Sequence, residues 1–111
     1  MLDIYPVFLD FVSDCGELIP RIAHHDPDLA RQLRRSAASV ALNVSEAMYA
    51  LGRSRTHAYN VALRELRESY TALQLSVRLR HLAALSFEQK DRIQRLLGTL
   101  YRLSFPRKAA R

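Results

Sequence analysis

Residues 29–47 read LARQLRRSAASVALNVSEA, and three patterns are superimposed on this one uninterrupted stretch. Leu29, Leu33, Ala37, Val40, Val44, Ala47 and Leu51 recur at spacings of three and four, which places them in one apolar stripe along a helix that must be buried against other helices. Beside it runs a second stripe in the same rhythm, Gln32, Ser36, Ser39, Asn43 and Glu46, polar yet uncharged until its last member. That is too polar for a core and too weakly charged for an ordinary solvated face. It predicts an interhelical or intersubunit hydrogen-bond network. Arg31, Arg34 and Arg35 crowd the first turns, where the helix dipole disfavours cations. Ser36, Ala37, Ala38, Ser39 and Ala41 are small enough for a neighbouring backbone to come close.

Working outward, the same rhythm appears three more times. Ile4, Phe8, Phe11, Cys15, Leu18 and Ile22 form a seam on a first helix over roughly 4–23, with Asp3 as its expected cap and Pro20 expected to kink or end it. Asp26 and Pro27 are a strong start signal for the second helix, 27–51, which Gly52 is expected to close. Ser54 is the expected cap of a third helix, 55–82, carrying Tyr59, Leu63, Leu66, Tyr70, Leu73 and Val77. Ser86-Phe87-Glu88-Gln89 reads as a capping box opening a fourth helix, 87–104, with Ile93, Leu96, Leu97, Leu100 and Leu103 inward and a basic tail at 106–111. The sum is all-α: an up-down-up-down antiparallel four-helix bundle in a single domain, 1–111.

With 111 residues, 49% of them apolar, the chain supports one core and no second domain. Three glycines, four prolines and no β-branched alternation leave no room for a sheet. Charges interrupt every apolar run and no leader pattern is seen at the N-terminus, so a cytoplasmic protein without membrane contact is expected. The lone Cys15 has no disulfide partner and falls on an apolar seam, which reads as a core residue rather than a nucleophile.

Charge is strongly segregated. The net charge is +6, yet residues 1–28 hold six acids and one arginine, whereas residues 29–111 hold sixteen bases and five acids. Fifteen of the seventeen bases are arginine, whose planar fork suits phosphate. On the third helix Asn60, Arg64, Arg67, Thr71, Gln74 and Arg78 share a polar face, and on the fourth Arg92, Arg95, Thr99 and Arg102 do the same. Evenly spaced arginines can track a phosphate backbone; a solvated face is the plain alternative. Tyr49 and Tyr101 are expected to cover core edges. Enzymatic readings find little purchase: no His or Cys pair has metal-ligand spacing, there is no glycine-rich phosphate loop, and no cofactor is implied. The four-helix RNases use a more widely spaced Arg–His pair than Arg21 with His24 and His25, Arg53 with His57, or Arg78 with His81.

The run Gln32-Leu33-Arg34-Arg35, then Ser39-Val40, then Asn43-Val44-Ser45-Glu46-Ala47, resembles the signature of the bacterial four-helix-bundle proteins encoded in intervening sequences of 23S ribosomal RNA genes. Val61-Ala62 and Glu68-Ser69-Tyr70-Thr71 extend the resemblance, which spans roughly residues 5–103. The chain departs from that pattern at Ala47, where the family has glycine, and at Arg64-Glu65, where it has Gly-Ser. The family is related to the accessory variability determinants of diversity-generating retroelements, which bind a reverse transcriptase and RNA. The resemblance implies a ring of bundles, a homopentamer, with a basic surface.

These readings lead to a non-enzymatic oligomer that binds RNA or single-stranded DNA through Arg64, Arg67, Arg78, Arg92, Arg95 and Arg102, with a reverse transcriptase as the protein partner implied by resemblance. The competing expectation is a protein–protein adaptor with no nucleic-acid role.

Overall fold

Asp26 sets the first corner. It alone separates α1 (Tyr5–His25) from α2 (Pro27–Tyr49), and its carboxylate accepts a hydrogen bond from the Leu29 amide at 3.0 Å, satisfying a donor that the helix start leaves free. Pro27 follows with its φ already helical. The computed structural model describes residues 3–106, where the chain forms two further helices, α3 (Gly52–Arg78) and α4 (Phe87–Ser104), and no strand. α2 packs against α1 and α3, and α4 closes the bundle against α3 and α1.

Several boundaries differ from the sequence expectation, each for a local reason. α1 continues through Pro20 to His25. Pro20 itself is exposed, while Ile19 and Ile22 on either side are buried and hold the helix to the core. The cap of α1 is Ile4, not Asp3, and makes no side-chain hydrogen bond. α2 stops at Tyr49 with Ala50 extended, and Gly52 opens α3 instead of closing α2: its φ of +56° lets the chain reverse, so Ser54 lies inside the helix and does not cap it. α3 ends at Arg78 rather than near Leu82. There the His81 amide donates to the Ser76 carbonyl (2.8 Å) and the Arg80 amide to the Val77 carbonyl (3.0 Å), the two bonds of a Schellman cap, with Arg80 at φ +66° in the left-handed position usually given to glycine. At α4 the expected capping box is present: Ser86 Oγ accepts from the Gln89 amide (3.0 Å) and Gln89 Oε1 from the Ser86 amide (2.9 Å). The tail from 107 on lies outside the described residues.

The core is built from the predicted stripes, widened on every helix and most on α3, where Ala58, Ala62, Ser69, Ala72 and Ser76 join it. Leu33, Ala37, Val40, Val44 and Ala47 are buried on α2, Leu29 is half-buried, and Leu51 is exposed because the helix has already ended. On α1, Ile19 joins Phe8, Phe11, Cys15 and Ile22 in the core while Leu18 is half-buried. α2 and α3 pack most extensively, with Ser36 meeting Ser69 across the seam, and both helices bury small residues, Ala37 on α2 and Ala58, Ala62 and Ala72 on α3. The molecule is elongated, 53 × 23 × 19 Å. Gln94 of α4 sits against Tyr70 of α3. α4, with 18 residues, is much shorter than α3, with 27.

Candidate nucleic-acid interface

α3 carries acids as well as bases, and the helix sorts them. Glu65 and Glu68 lie on its flank toward α2, where Arg35 reaches both: Nη2 is 2.6 Å from Glu68 Oε1 and Nη1 3.4 Å from Glu65 Oε2. Glu65 also hydrogen-bonds to the Glu68 carboxyl and pushes its pKa upward, helped by partial burial, while Arg35 pulls it down. The outward face of α3 is left with Arg64, Arg67 and Arg78, all exposed, and none forms an ion pair among the described residues. Thr71 and Gln74 sit between them, also exposed, with Asn60 half-buried at the head of the row. The face is thus cationic and unneutralised over the 14-residue interval from Arg64 to Arg78, about 21 Å.

The α4 arginines do not join this face. Arg92 is half-buried and forms an ion pair with Asp14 on α1, so its guanidinium is already engaged. Gln94, on the opposite flank of α4, is the residue that meets α3. With 100° per residue, Arg95 and Arg102 fall between the α1 flank and solvent; both are exposed, and Arg102 Nη2 lies 3.4 Å from Thr99 Oγ1. The two rows look out from different sides of the bundle.

The polar stripe of α2 is divided in the same way. Ser36 is fully buried, its Oγ 2.7 Å from Ser69 Oγ across the α2–α3 seam. Asn43 Nδ2 folds back on its own helix, donating to the Ser39 carbonyl (2.8 Å) and Oγ (3.0 Å), while Gln32 and Glu46 are exposed. Within one chain the interhelical bond is therefore carried by Ser36, while Asn43 is half-buried and Glu46 exposed. Arg31 pairs with Asp28 one turn before it, and Arg34 is exposed.

Other features were not legible from spacing. Tyr49 does not cover the core, being 82% exposed, and Tyr101 is 55% exposed with its ring on Phe105, centroids 5.1 Å apart. Tyr70, placed on the core seam by its spacing, is half-buried and lines a cleft of about 480 Å³ with Thr71, Gln74, Leu75, Val77, Arg78, Ala84, Leu85 and Lys90. At the same end of the bundle His25 stacks on His81 (5.1 Å, 7° between planes), and His81 Nε2 is 3.9 Å from Asp26 Oδ2. Among the described residues no three histidine, cysteine or carboxylate side chains are grouped so as to hold a metal ion. Cys15 is buried, and desolvation, with Asp14 adding to it, pushes its thiol pKa up to about 12. No described helix is long and apolar enough to cross a membrane.

Against this geometry the comparisons are informative about fold. No family model and no curated protein matches the sequence. Among solved structures, the chain is similar to a protein of unknown function from the S23 ribosomal protein family of Bacteroides thetaiotaomicron, with a TM-score of 0.77 at 21% identity, over 92% of this chain and 98% of that one. The likeness spans the whole bundle, so the two chains share a helical architecture.

Proposed function

We propose that this protein is a non-enzymatic, cytoplasmic, oligomeric four-helix-bundle protein that binds nucleic acid along the outward face of α3. The observation that carries this reading is the sorting of charge on that helix: Glu65 and Glu68 lie on the inner flank, where both pair with Arg35, leaving Arg64, Arg67 and Arg78 as an unpaired row. Each phosphate contact releases counterions, so affinity falls linearly with log salt, by about 0.7 per contact on a single strand. Replacing all three arginines by glutamine removes about two from that slope. Anisotropy titrations of RNA and DNA oligomers at several salt concentrations measure it, and an unchanged slope in the triple variant refutes the role of the row. Arg95 and Arg102 form a secondary cationic surface, with Arg92 held back by Asp14.

Assembly is the second element of the proposal. Leu42 and Tyr49 on the outer side of α2, and Leu51 in the turn that follows it, are 69%, 82% and 80% exposed, apolar surface that a single chain leaves in water. Together with the half-buried Asn43 and the exposed Glu46, it supports burial against a further copy, in a ring for which the sequence resemblance favours five subunits. The resemblance likewise favours a reverse transcriptase as the protein partner. Light scattering that returns a 12.7 kDa particle at micromolar concentration overturns the oligomer. An oligomer that binds no nucleic acid at low salt favours the adaptor reading, in which the same apolar surface holds a different protein.

A further inference from the structure

We propose that the cleft between the end of α3 and the start of α4 seats one unstacked base of a single-stranded polynucleotide, with Arg78 and Lys90 taking the flanking phosphates. The inference rests on reading the α3 row as a phosphate track and adds what that track discriminates. The cleft lies at the C-terminal end of the row and shares Thr71, Gln74 and Arg78 with it. A strand that follows Arg64 and Arg67 toward Arg78 passes directly over its mouth. Its volume, about 480 Å³, falls in the range of small-ligand sites. Leu75, Val77, Ala84 and Leu85 supply apolar wall, Tyr70 supplies an aromatic ring, and Thr71 and Gln74 supply polar groups for a base edge or sugar hydroxyl. Arg78 and Lys90 are both exposed, and neither forms an ion pair among the described residues. A purely phosphate-tracking surface has no use for an apolar, aromatic recess between two cations. A base with its phosphates does.

The backbone beside the cleft gives independent support. Arg80 occupies the left-handed position of the α3 cap, φ +66°, where glycine would sit without strain. The chain bears that strain and keeps an exposed guanidinium two residues beyond Arg78, at the same end of the row. Duplexes keep their bases stacked inside and cannot fill the recess, so the cleft selects single strands, where base–aromatic stacking adds to the electrostatic term.

The test uses the full chain and a fluorescent oligomer offered as single-stranded RNA, single-stranded DNA, a strand with abasic sugars, and the matching duplex, all at one low salt concentration. Ala84→Phe fills the cleft from an exposed position without changing charge; Tyr70→Leu removes the aromatic ring. Expected are a preference of roughly tenfold for single strands over duplex and abasic strand, and its loss in both variants while duplex binding is unchanged. The tighter of the RNA and DNA strands identifies the source. If Tyr70→Leu does not fold, Ala84→Phe alone decides. Equal binding of single strand and duplex by the parent, or an intact preference in Ala84→Phe, overturns the cleft and leaves the phosphate track standing. No binding of any oligomer overturns both.

Discussion

The hydroxyls of Ser36 and Ser69 meet at 2.7 Å in the dry seam between α2 and α3, and a double-mutant cycle on them tests how the two longest helices are joined. Ser69 Oγ donates to the Glu65 carbonyl at 2.9 Å, so the proton in the shared contact belongs to Ser36. Removing the Ser36 hydroxyl leaves Ser69 its own donated bond but takes away the bond it accepts, a loss of about 1 kcal/mol. Removing the Ser69 hydroxyl leaves Ser36 with the Leu33 carbonyl at 3.3 Å, a longer bond, and again costs about 1 kcal/mol. In the double alanine variant neither buried oxygen remains to be satisfied, so the combined loss should stay near 1 kcal/mol rather than 2, a coupling of about 1 kcal/mol. Each single variant then lowers Tm by roughly 4–8 °C. Urea unfolding followed by circular dichroism, at one fixed protomer concentration so that assembly does not shift the midpoint, provides the four free energies. Additivity within about 0.3 kcal/mol would refute the shared bond. Ser36→Leu provides the converse: there is no room for it between the helices, and overpacking should cost about 1–3 kcal/mol.

Arg80→Gly should raise stability by up to about 1 kcal/mol by relieving the left-handed backbone, while weakening oligonucleotide binding, two changes of opposite sign that thermal melts and anisotropy separate. Asp26→Ala removes the α2 cap and should cost about 1 kcal/mol in urea unfolding; no change in midpoint would show the corner to be held otherwise. The Cys15 thiol should resist thiol reagents at pH 8 until urea is added. Its pKa is 9.0 ordinarily and about 12 in the fold, so the folded state keeps a proton that the unfolded chain loses; stability from this group is fully present below pH 9 and falls as pH rises toward 12. Denaturation midpoints that do not decline over that window would contradict it.

The spacing of Leu33, Ala37, Val40, Val44 and Ala47 was enough to place the core of α2, because a buried helical stripe leaves an unmistakable period. Ser36 and Ser39 were not separable that way. They lie in one polar stripe, and only the position of Ser69 on another helix decides which is buried. Pro20 does not end α1, because a proline's local cost is weighed against tertiary packing that spacing at one position does not show, here the burial of Ile19 and Ile22 beside it. Ser54 and Asp3 have capping chemistry, yet the chain turns on a glycine φ and on Ile4 instead. The arginine rows were visible as rows, but not their neutralisation: the partners of Arg92 and Arg35 are 78 and 30 to 33 residues away in sequence. The cleft at Tyr70 forms where α3 and α4 diverge, which no single-helix pattern encodes.

The middle of the bundle and the turn between α2 and α3 differ in stiffness. In the middle, an amide can exchange its hydrogen only through an opening that separates Leu66, Leu96 and Phe8 from the core. Near Gly52 the turn is built from exposed residues, so opening there requires little more than fraying. Protection from exchange should therefore decline steadily along α3 from its middle toward Gly52, and the tip that displays Tyr49 and Leu51 is the part of the chain that can change shape to fit what it meets without loosening the core behind it.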